Sequence, residues 1–174
     1  MSQTKGRGWA CLMLFSNVAG AQAVEREPDI AQAEVVLLRY LRAVQARKWP
    51  EAKKYIHPDT LKVIAERKRR LGEEDHPLAP WYQEKGAYVM KAFVVVSAQA
   101  AILGTVLVET QEDNFQIVEK GMAEAEMASY LMGRKQGRWY VVDKKRGERF
   151  SSDSIRWGYR KYLDAPDPSP DEED

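Results

Sequence analysis

Residues 35–64 read VVLLRYLRAVQARKWPEAKKYIHPDTLKVI, and this stretch decides the class of the fold. Pro50 and Pro58 divide it into short segments whose apolar residues recur every three or four positions. That spacing predicts short amphipathic helices separated by turns. Strand-like sequence, rich in β-branched and aromatic residues, begins only afterwards. The helix-first order predicts an α+β domain.

The predicted helices have identifiable ends. We predict that the first begins at Asp29, whose carboxylate can cap free backbone amides. The second begins at Pro50 and ends near Ile56 or His57, because a proline disfavours helical geometry in the residue before it. The third ends at Gly72, a typical C-terminal capping residue. The stripes predicted to be buried are Ile30, Ala33, Leu37, Leu41 and Val44 in the first helix and Leu61, Ile64 and Leu71 in the third.

The second half of the domain is predicted to be mostly strand, because it is rich in β-branched and aromatic residues. Residues 112–114, Glu-Asp-Asn, favour a turn. Residues 133–137 begin and end with glycine and are predicted to close a hairpin. The predicted strands are residues 93–96, residues 102–108, most of residues 115–132, and residues 138–142.

Three further segments flank this pattern. Residues 73–86 read EEDHPLAPWYQEKG, a predicted loop long enough to cover or line a site. Residues 151–163 are a predicted helical arm that covers the open face of the sheet, with a role as a lid or docking arm as the alternative. Residues 164–174, DAPDPSPDEED, contain too little apolar surface to fold and are predicted to be a disordered acidic tail.

Residues 1–23 have the three-part layout of a secretory signal peptide. Lys5 and Arg7 precede the apolar run WACLMLFSNVAG, and Ala-Gln-Ala follows it at residues 21–23. The apolar run is only a dozen residues long, whereas a membrane-spanning helix needs roughly 20. We therefore expect an exported protein, periplasmic or secreted, that has no membrane span after cleavage.

Composition argues against several classes of function. The chain has 27 basic and 26 acidic residues, so its net charge does not favour nucleic acid or an anionic membrane. Acidic residues flank the basic runs at residues 67–70 and 144–146, which predicts solvated surfaces rather than nucleic-acid contacts. The only cysteine, Cys11, would leave with the leader, and this excludes thiol redox chemistry in the mature chain.

No motif predicts a metal or a cofactor. The chain lacks a phosphate-binding glycine loop, a Gly-x-Ser-x-Gly elbow and a His-Glu-x-x-His helix. The two histidines and their acidic neighbours do not show the short, fixed spacings of metal sites. We interpret His57, which precedes Pro58, as a helix cap and His76 as an exposed loop residue.

Three motifs together resemble the nuclear transport factor 2-like superfamily. They are ARKWPEA at residues 46–52, YIHP at residues 55–58 and GRWYVVD at residues 137–143. The resemblance covers roughly residues 29–145. It implies a domain at residues 24–150 in which the helices pack into the concave side of a strongly curved antiparallel sheet, forming a cone. The superfamily includes ketosteroid isomerase-like and SnoaL-like enzymes, and also exported domains that only bind.

The resemblance to the isomerase members implies an alternative function, in which a buried carboxylate removes a proton and a tyrosine donates to the developing oxyanion. No catalytic motif aligns with this chain, so no catalytic residue is assigned. We favour structural roles for every candidate, with the tyrosines in the core and Asp143 as a solvated partner of Lys144 or Arg146. The candidates are Tyr40, Tyr55, Tyr88 and Tyr130 as the donor and Asp59, Glu109 and Asp143 as the base.

The favoured hypothesis is an exported, non-catalytic domain that binds a small apolar ligand or a protein partner through the cone cavity or the sheet face. A structural subunit of an envelope assembly is a further alternative, and a homodimer through the sheet is the expected assembly if the protein self-associates. The expected binding residues are Tyr40, Tyr55, His57, Trp81, Tyr82, Tyr88, Trp139 and Trp157.

Overall fold

The computed structural model of the chain describes residues 28–72, 76–79, 88–116, 123–159 and 162. The predicted leader and acidic tail lie outside these residues, as does most of the loop at residues 73–86. Helices come first in the described chain, as the sequence predicts. They are α1 (Pro28–Gln45), α2 (Trp49–Ala52), a 3-10 helix at Lys53–Tyr55, and α3 (Pro58–Leu71).

The strands follow the helices and form one antiparallel sheet in the order β1-β2-β3-β4. The predicted α+β class is therefore confirmed. A short C-terminal helix, α4, completes the described fold. The bounds are β1 (Tyr88–Ala100), a 3-10 helix at Ile102–Gly104, β2 (Val106–Gln116), β3 (Ala123–Lys135), β4 (Arg138–Arg146) and α4 (Ser152–Gly158).

Helix α1 lies across the sheet and contacts all four strands. Its predicted apolar stripe is confirmed, because Ala33, Leu37, Leu41 and Val44 are buried and Ile30 packs partly against the same core. We call this side of the sheet the inner face. In α3, Ile64 is buried as predicted, whereas Leu71 is 62% exposed. Leu71 lies in the last turn, beyond the part of α3 that packs on the core, so the prediction that it is buried was wrong.

The predicted caps of α3 are confirmed. His57 stands at the N-cap, where its Nδ1 accepts a hydrogen bond from the backbone N–H of Asp59 at 3.2 Å. Gly72 stands at the C-cap in the left-handed conformation, with φ of 69°, and its N–H donates to the carbonyl of Lys68. Both ends of the helix are therefore closed by the residues that the sequence pattern indicates.

Two sequence predictions fail in the middle of the sheet. Residues 112–114 are not a turn, because they pair with Glu126, Ala125 and Glu124 of β3 inside the ladder. Residues 102–104 form a 3-10 helix rather than the start of a strand, and Leu103 adopts a positive φ of 58°. The strand interpretation of residues 115–132 is confirmed for residues 123–132, which belong to β3.

Residues 56–60 contact part of one edge of the sheet, and the pairing at the other edge is irregular. At β4, Ile56 forms a parallel bridge with Val141, and the N–H of His57 donates to the Val141 carbonyl at 2.9 Å. The hydroxyl of Thr60 donates to the next carbonyl, that of Val142, at 2.8 Å. At β1, the pairing register shifts twice, between Met90 and Ala92 and between Val95 and Ser97.

The outer face of the sheet carries a second, smaller core. Leu107, Leu131 and Val142 point to this side and pack with Phe150 and Ile155, which is the buried residue of α4. The helical part of the C-terminal arm therefore covers this face, as predicted. Ser151 caps α4 by accepting from the N–H of Ser154.

Val94, Val96 and Met127 are exposed large apolar residues of the sheet. Dimerisation through the sheet stays a prediction.

No helix in the described ranges is both long enough and apolar enough to cross a membrane.

The β3–β4 hairpin closes with a two-residue turn. Gln136 and Gly137 both have positive φ, of 53° and 73°. Positive φ at both central positions defines a type I′ turn, the type whose twist matches the flanking strands. The turn lies inside the predicted hairpin segment, and it places Arg138 and Trp139 at the start of β4.

We expect Gly137→Ala to destabilise the protein by about 1 kcal/mol, because a Cβ is disfavoured at positive φ. No heavy atom lies within 4 Å of a Cβ built at this glycine, so the effect would be backbone strain alone. Gly158→Ala is the matched control, since its Cβ also meets open space and its φ is not in the left-handed region. Urea unfolding of both variants checks the prediction, and equal midpoints would contradict it.

Candidate functional site

A buried polar network lies on the inner face of the sheet. Lys144 Nζ contacts Glu112 Oε2 at 2.6 Å. The other carboxylate oxygen, Oε1, accepts from the Tyr130 hydroxyl at 2.5 Å and from the Thr110 hydroxyl at 3.1 Å. Tyr40 of α1 packs edge-on against Tyr130, with the ring centroids 6.3 Å apart. All five residues are almost completely buried.

The electrostatics of this network favour the ionised carboxylate of Glu112. Burial alone would raise the pKa of Glu112, but the Lys144 ammonium and the hydrogen bonds to the carboxylate lower the pKa below its usual range. Burial lowers the pKa of Lys144, and Glu112 opposes that shift. The pKa of Tyr130 is raised well above its usual value by burial and by the nearby Glu112 carboxylate. The carboxylate is therefore ionised and the phenol neutral.

This network does contain a buried carboxylate and a tyrosine, the two groups that isomerase chemistry requires. Each oxygen of Glu112 already accepts a hydrogen bond, and the residue is 1% exposed. A general base needs an oxygen that can reach the substrate proton. In this structure the Glu112 carboxylate is therefore enclosed by its own partners within the sheet.

Sequence analysis missed Glu112, although a signal for it exists. Val106, Val108, Thr110 and Glu112 alternate with residues of the outer face, so the period of two places Glu112 on the inner face. The interpretation of residues 112–114 as a turn hid this pattern.

The other candidate bases are also bound to partners. Asp59, at the start of α3, forms ion pairs with Lys135 and Lys62. These hydrogen-bonded cations lower the pKa of Asp59 to about 2. Glu109 accepts from the Ser97 hydroxyl at 2.9 Å and pairs with Arg149 Nε at 2.5 Å. Both carboxylates therefore have structural partners.

Asp143 differs from its predicted role, because its side chain is only 12% exposed and is not solvated. Its carboxylate accepts from the Tyr159 hydroxyl and from the backbone N–H of Lys144. Burial raises the pKa of Asp143 to about 6, although the hydrogen bond from Lys144 opposes the shift. The residue ties the C-terminal segment to β4.

His76 approaches the same carboxylate and is buried, which corrects the expectation of an exposed loop histidine. Its Nδ1 accepts from the N–H of Leu78 at 3.2 Å, so the neutral ring carries its proton on Nε2. That nitrogen lies 3.6 Å from Asp143 Oδ1. Both groups help to line a cavity of about 300 Å³ between α3, β4 and the C-terminal segment. His76 therefore lies beside Asp143 in the wall of this cavity.

A larger cavity, of about 460 Å³, lies between α1 and the β3–β4 hairpin. We call it the hairpin cavity. Its walls come from α1, the 3-10 helix at Lys53–Tyr55, and the first residues of β4. The apolar and aromatic residues of the wall are Ala31, Val35, Val36, Tyr55, Trp139 and Tyr140.

Three cations stand in the wall of the hairpin cavity, namely Arg39, Lys54 and Arg138, and none of the lining residues that the structure describes is acidic. The Arg138 guanidinium lies 5.8 Å from the centroid of the Tyr140 ring. Trp139 is 7% exposed, and its indole nitrogen has no hydrogen-bond partner among the residues described. A buried donor without a partner is uncommon in folded proteins.

The structure brings two of the expected binding residues together, Tyr55 and Trp139, in the hairpin cavity. Tyr40 and His57 are buried within the fold, and Trp157 is 84% exposed on α4. Tyr88 is the first residue of β1, and its side chain is not among those described. Trp81 and Tyr82 lie outside the described residues.

Within the parts of the chain that the structure covers, no three His, Cys, Asp or Glu side chains converge as a metal site. In comparisons with known proteins, no family model, no curated protein and no solved structure matches this chain. The geometry of the cavities is therefore the basis for assigning a function.

We expect Lys144→Met to lower the free energy of unfolding by about 3–5 kcal/mol, because it leaves the Glu112 carboxylate buried without its cation. The double variant Glu112→Gln with Lys144→Met removes both charges and retains an acceptor for Tyr130 and Thr110. It should recover at least about 2 kcal/mol of that loss. Urea unfolding at pH 7 measures both, and equal losses in the two variants would rule out the buried charge as the cause.

We also expect Asp143→Asn to gain stability relative to the parent as pH rises from 4 to 7. The folded pKa of Asp143, about 6, exceeds the usual value of 3.8. The folded state therefore holds the proton more tightly, and ionisation of Asp143 costs the parent stability as pH rises through this window. The shift corresponds to about 3 kcal/mol at most.

Urea unfolding at several pH values between 4 and 7 checks this sign. Asp113→Asn is the matched control, because Asp113 is an exposed carboxylate on β2. A parent that gains stability relative to Asp143→Asn as pH rises would contradict the expectation.

Proposed function

We propose that this protein is a non-catalytic binding domain that takes a small, largely apolar molecule into the hairpin cavity. The observation that carries the proposal is the wall of that cavity, where Tyr55, Trp139 and Tyr140 line the same space as the aliphatic residues of α1. Its volume of about 460 Å³ lies within the range of small-molecule sites, roughly 300–1,000 Å³.

The position of the cavity supports a binding role. Helix α1 buries Ala33 and Leu37 in the core, while Val35 and Val36, on adjacent positions, line the cavity. The opposite wall belongs to a strand that is held by a tight hairpin turn. Sites built on regular elements hold their shape better than sites built on loops. Val35 is 46% exposed, and an apolar ligand would cover it.

The state of the carboxylates favours binding over catalysis. Asp59, Glu109, Glu112 and Asp143 each accept hydrogen bonds or pair with cations from described residues. An isomerase-like reaction would require one of them to exchange these partners for a substrate.

The order of helices before an antiparallel sheet is compatible with the nuclear transport factor 2-like resemblance, whose members include domains that only bind. The leader predicted from the sequence of residues 1–23 is compatible with a site of action outside the cytoplasm.

We expect the protein to bind N-phenyl-1-naphthylamine, a neutral apolar probe whose fluorescence rises in an apolar site. Ala31→Trp should weaken probe binding at least about tenfold, because Ala31 lines the cavity and a large side chain would fill part of it. Titration of the purified chain with the probe measures the affinity.

Ala65→Trp is the matched control, because Ala65 is also an exposed alanine on a helix but does not line the hairpin cavity. It should bind the probe like the parent. Equal weakening in both variants, or no saturable probe binding by the parent, would contradict the proposal.

A further inference from the structure

We propose that the natural ligand of the hairpin cavity carries a carboxylate, so that it is an amphipathic organic acid with an apolar body. The juxtaposition that carries this inference is an apolar and aromatic wall beside Arg39, Lys54 and Arg138, with no acidic residue among the described residues of the lining. This inference rests on the proposed function, because it assigns the chemistry of the ligand to the same cavity.

These three cations differ from most of the other cations near the sheet. Arg134 pairs with Asp29, Lys135 with Asp59, and Arg149 with Glu109. By contrast, Arg39, Lys54 and Arg138 make no ion pair with any residue in the described ranges. In a chain with nearly equal numbers of acidic and basic residues, their collection around one cavity leaves a local excess of positive charge.

One of these three cations, Arg138, has its charged group oriented by a neighbouring aromatic ring. Its guanidinium lies over the ring of Tyr140, which also lines the cavity, at 5.8 Å from the ring centroid. A guanidinium placed against an aromatic ring loses little freedom when it binds, and its planar donors match the two oxygens of a carboxylate. An anion here would receive hydrogen bonds at the wall while its apolar part covers Val35, Val36 and Trp139.

The positive charge of the cavity wall also disfavours other classes of ligand. A cationic ligand would meet like charge from three side chains and would be repelled. A neutral apolar ligand would gain only from burial of its apolar surface. An organic acid gains from the same burial and also reduces the repulsion among the cations. Exposed charges contribute modestly one by one, so we expect a combined preference of about tenfold for the acid.

The test is displacement of N-phenyl-1-naphthylamine by decanoate and by decanol, which share an apolar chain and differ in charge. Decanoate should displace the probe at about tenfold lower concentration than decanol, and the preference should shrink at high salt because salt screens exposed charges. Arg138→Gln should reduce the preference several-fold. Arg69→Gln removes an equal charge from the exposed end of α3 and should leave the preference unchanged.

The possible outcomes separate this inference from the proposed function. If the probe binds and the two competitors displace it equally, the carboxylate assignment fails while the proposed function stands. If the parent does not bind the probe, the proposed function fails and the inference fails with it. If decanoate is preferred but Arg138→Gln and Arg69→Gln behave alike, general surface charge explains the preference and the assignment to this cavity is overturned.

Discussion

The buried ion pair between Glu112 and Lys144 is the constraint on which the rest of the sheet depends. The two residues lie on β2 and β4, and Tyr130 of the intervening strand β3 joins them through the same carboxylate. A slip of one residue in either ladder would move these polar groups to the opposite face of the sheet. A buried charge without its partner is far more costly than a misplaced methyl group. The network therefore fixes the register of three strands.

That fixed register also places the residues of the hairpin cavity. β3 and β4 pair from Ala128 and Arg146 to Lys135 and Arg138, so the turn and the start of β4 have one position relative to the network. Helix α1 is held against the same face by Leu37, Leu41 and Tyr40. Two walls of the cavity thus belong to α1 and β4, whose other residues reach the core, and the third comes from the 3-10 helix at Lys53–Tyr55. Gly137 of the hairpin turn also lines the cavity.

Local patterns predicted the features that depend on neighbours in sequence. The apolar stripe of α1, the cap at His57 and the glycine at the end of α3 follow from helical spacing and from the chemistry of free backbone groups. Features that depend on distant contacts were missed. Glu112 has turn-forming neighbours, yet its partner Lys144 lies 32 positions away. Asp143 is buried by His76 and Tyr159, which no spacing rule connects to it. Of the site, Tyr55 and Trp139 were expected, whereas the three cations around them were not.

Both edges of the sheet oppose self-association by the addition of further strands. At β4 the segment from Ile56 to Thr60 already occupies backbone groups that a foreign strand would need. At β1 a foreign strand would meet a ladder interrupted at two register shifts, and such irregularities oppose edge-to-edge pairing. Growth of the sheet into a fibre by repeated strand addition is thus obstructed at both ends. Residues 56–60 therefore obstruct strand addition at Val141 and Val142, in addition to their place in the connection to α3.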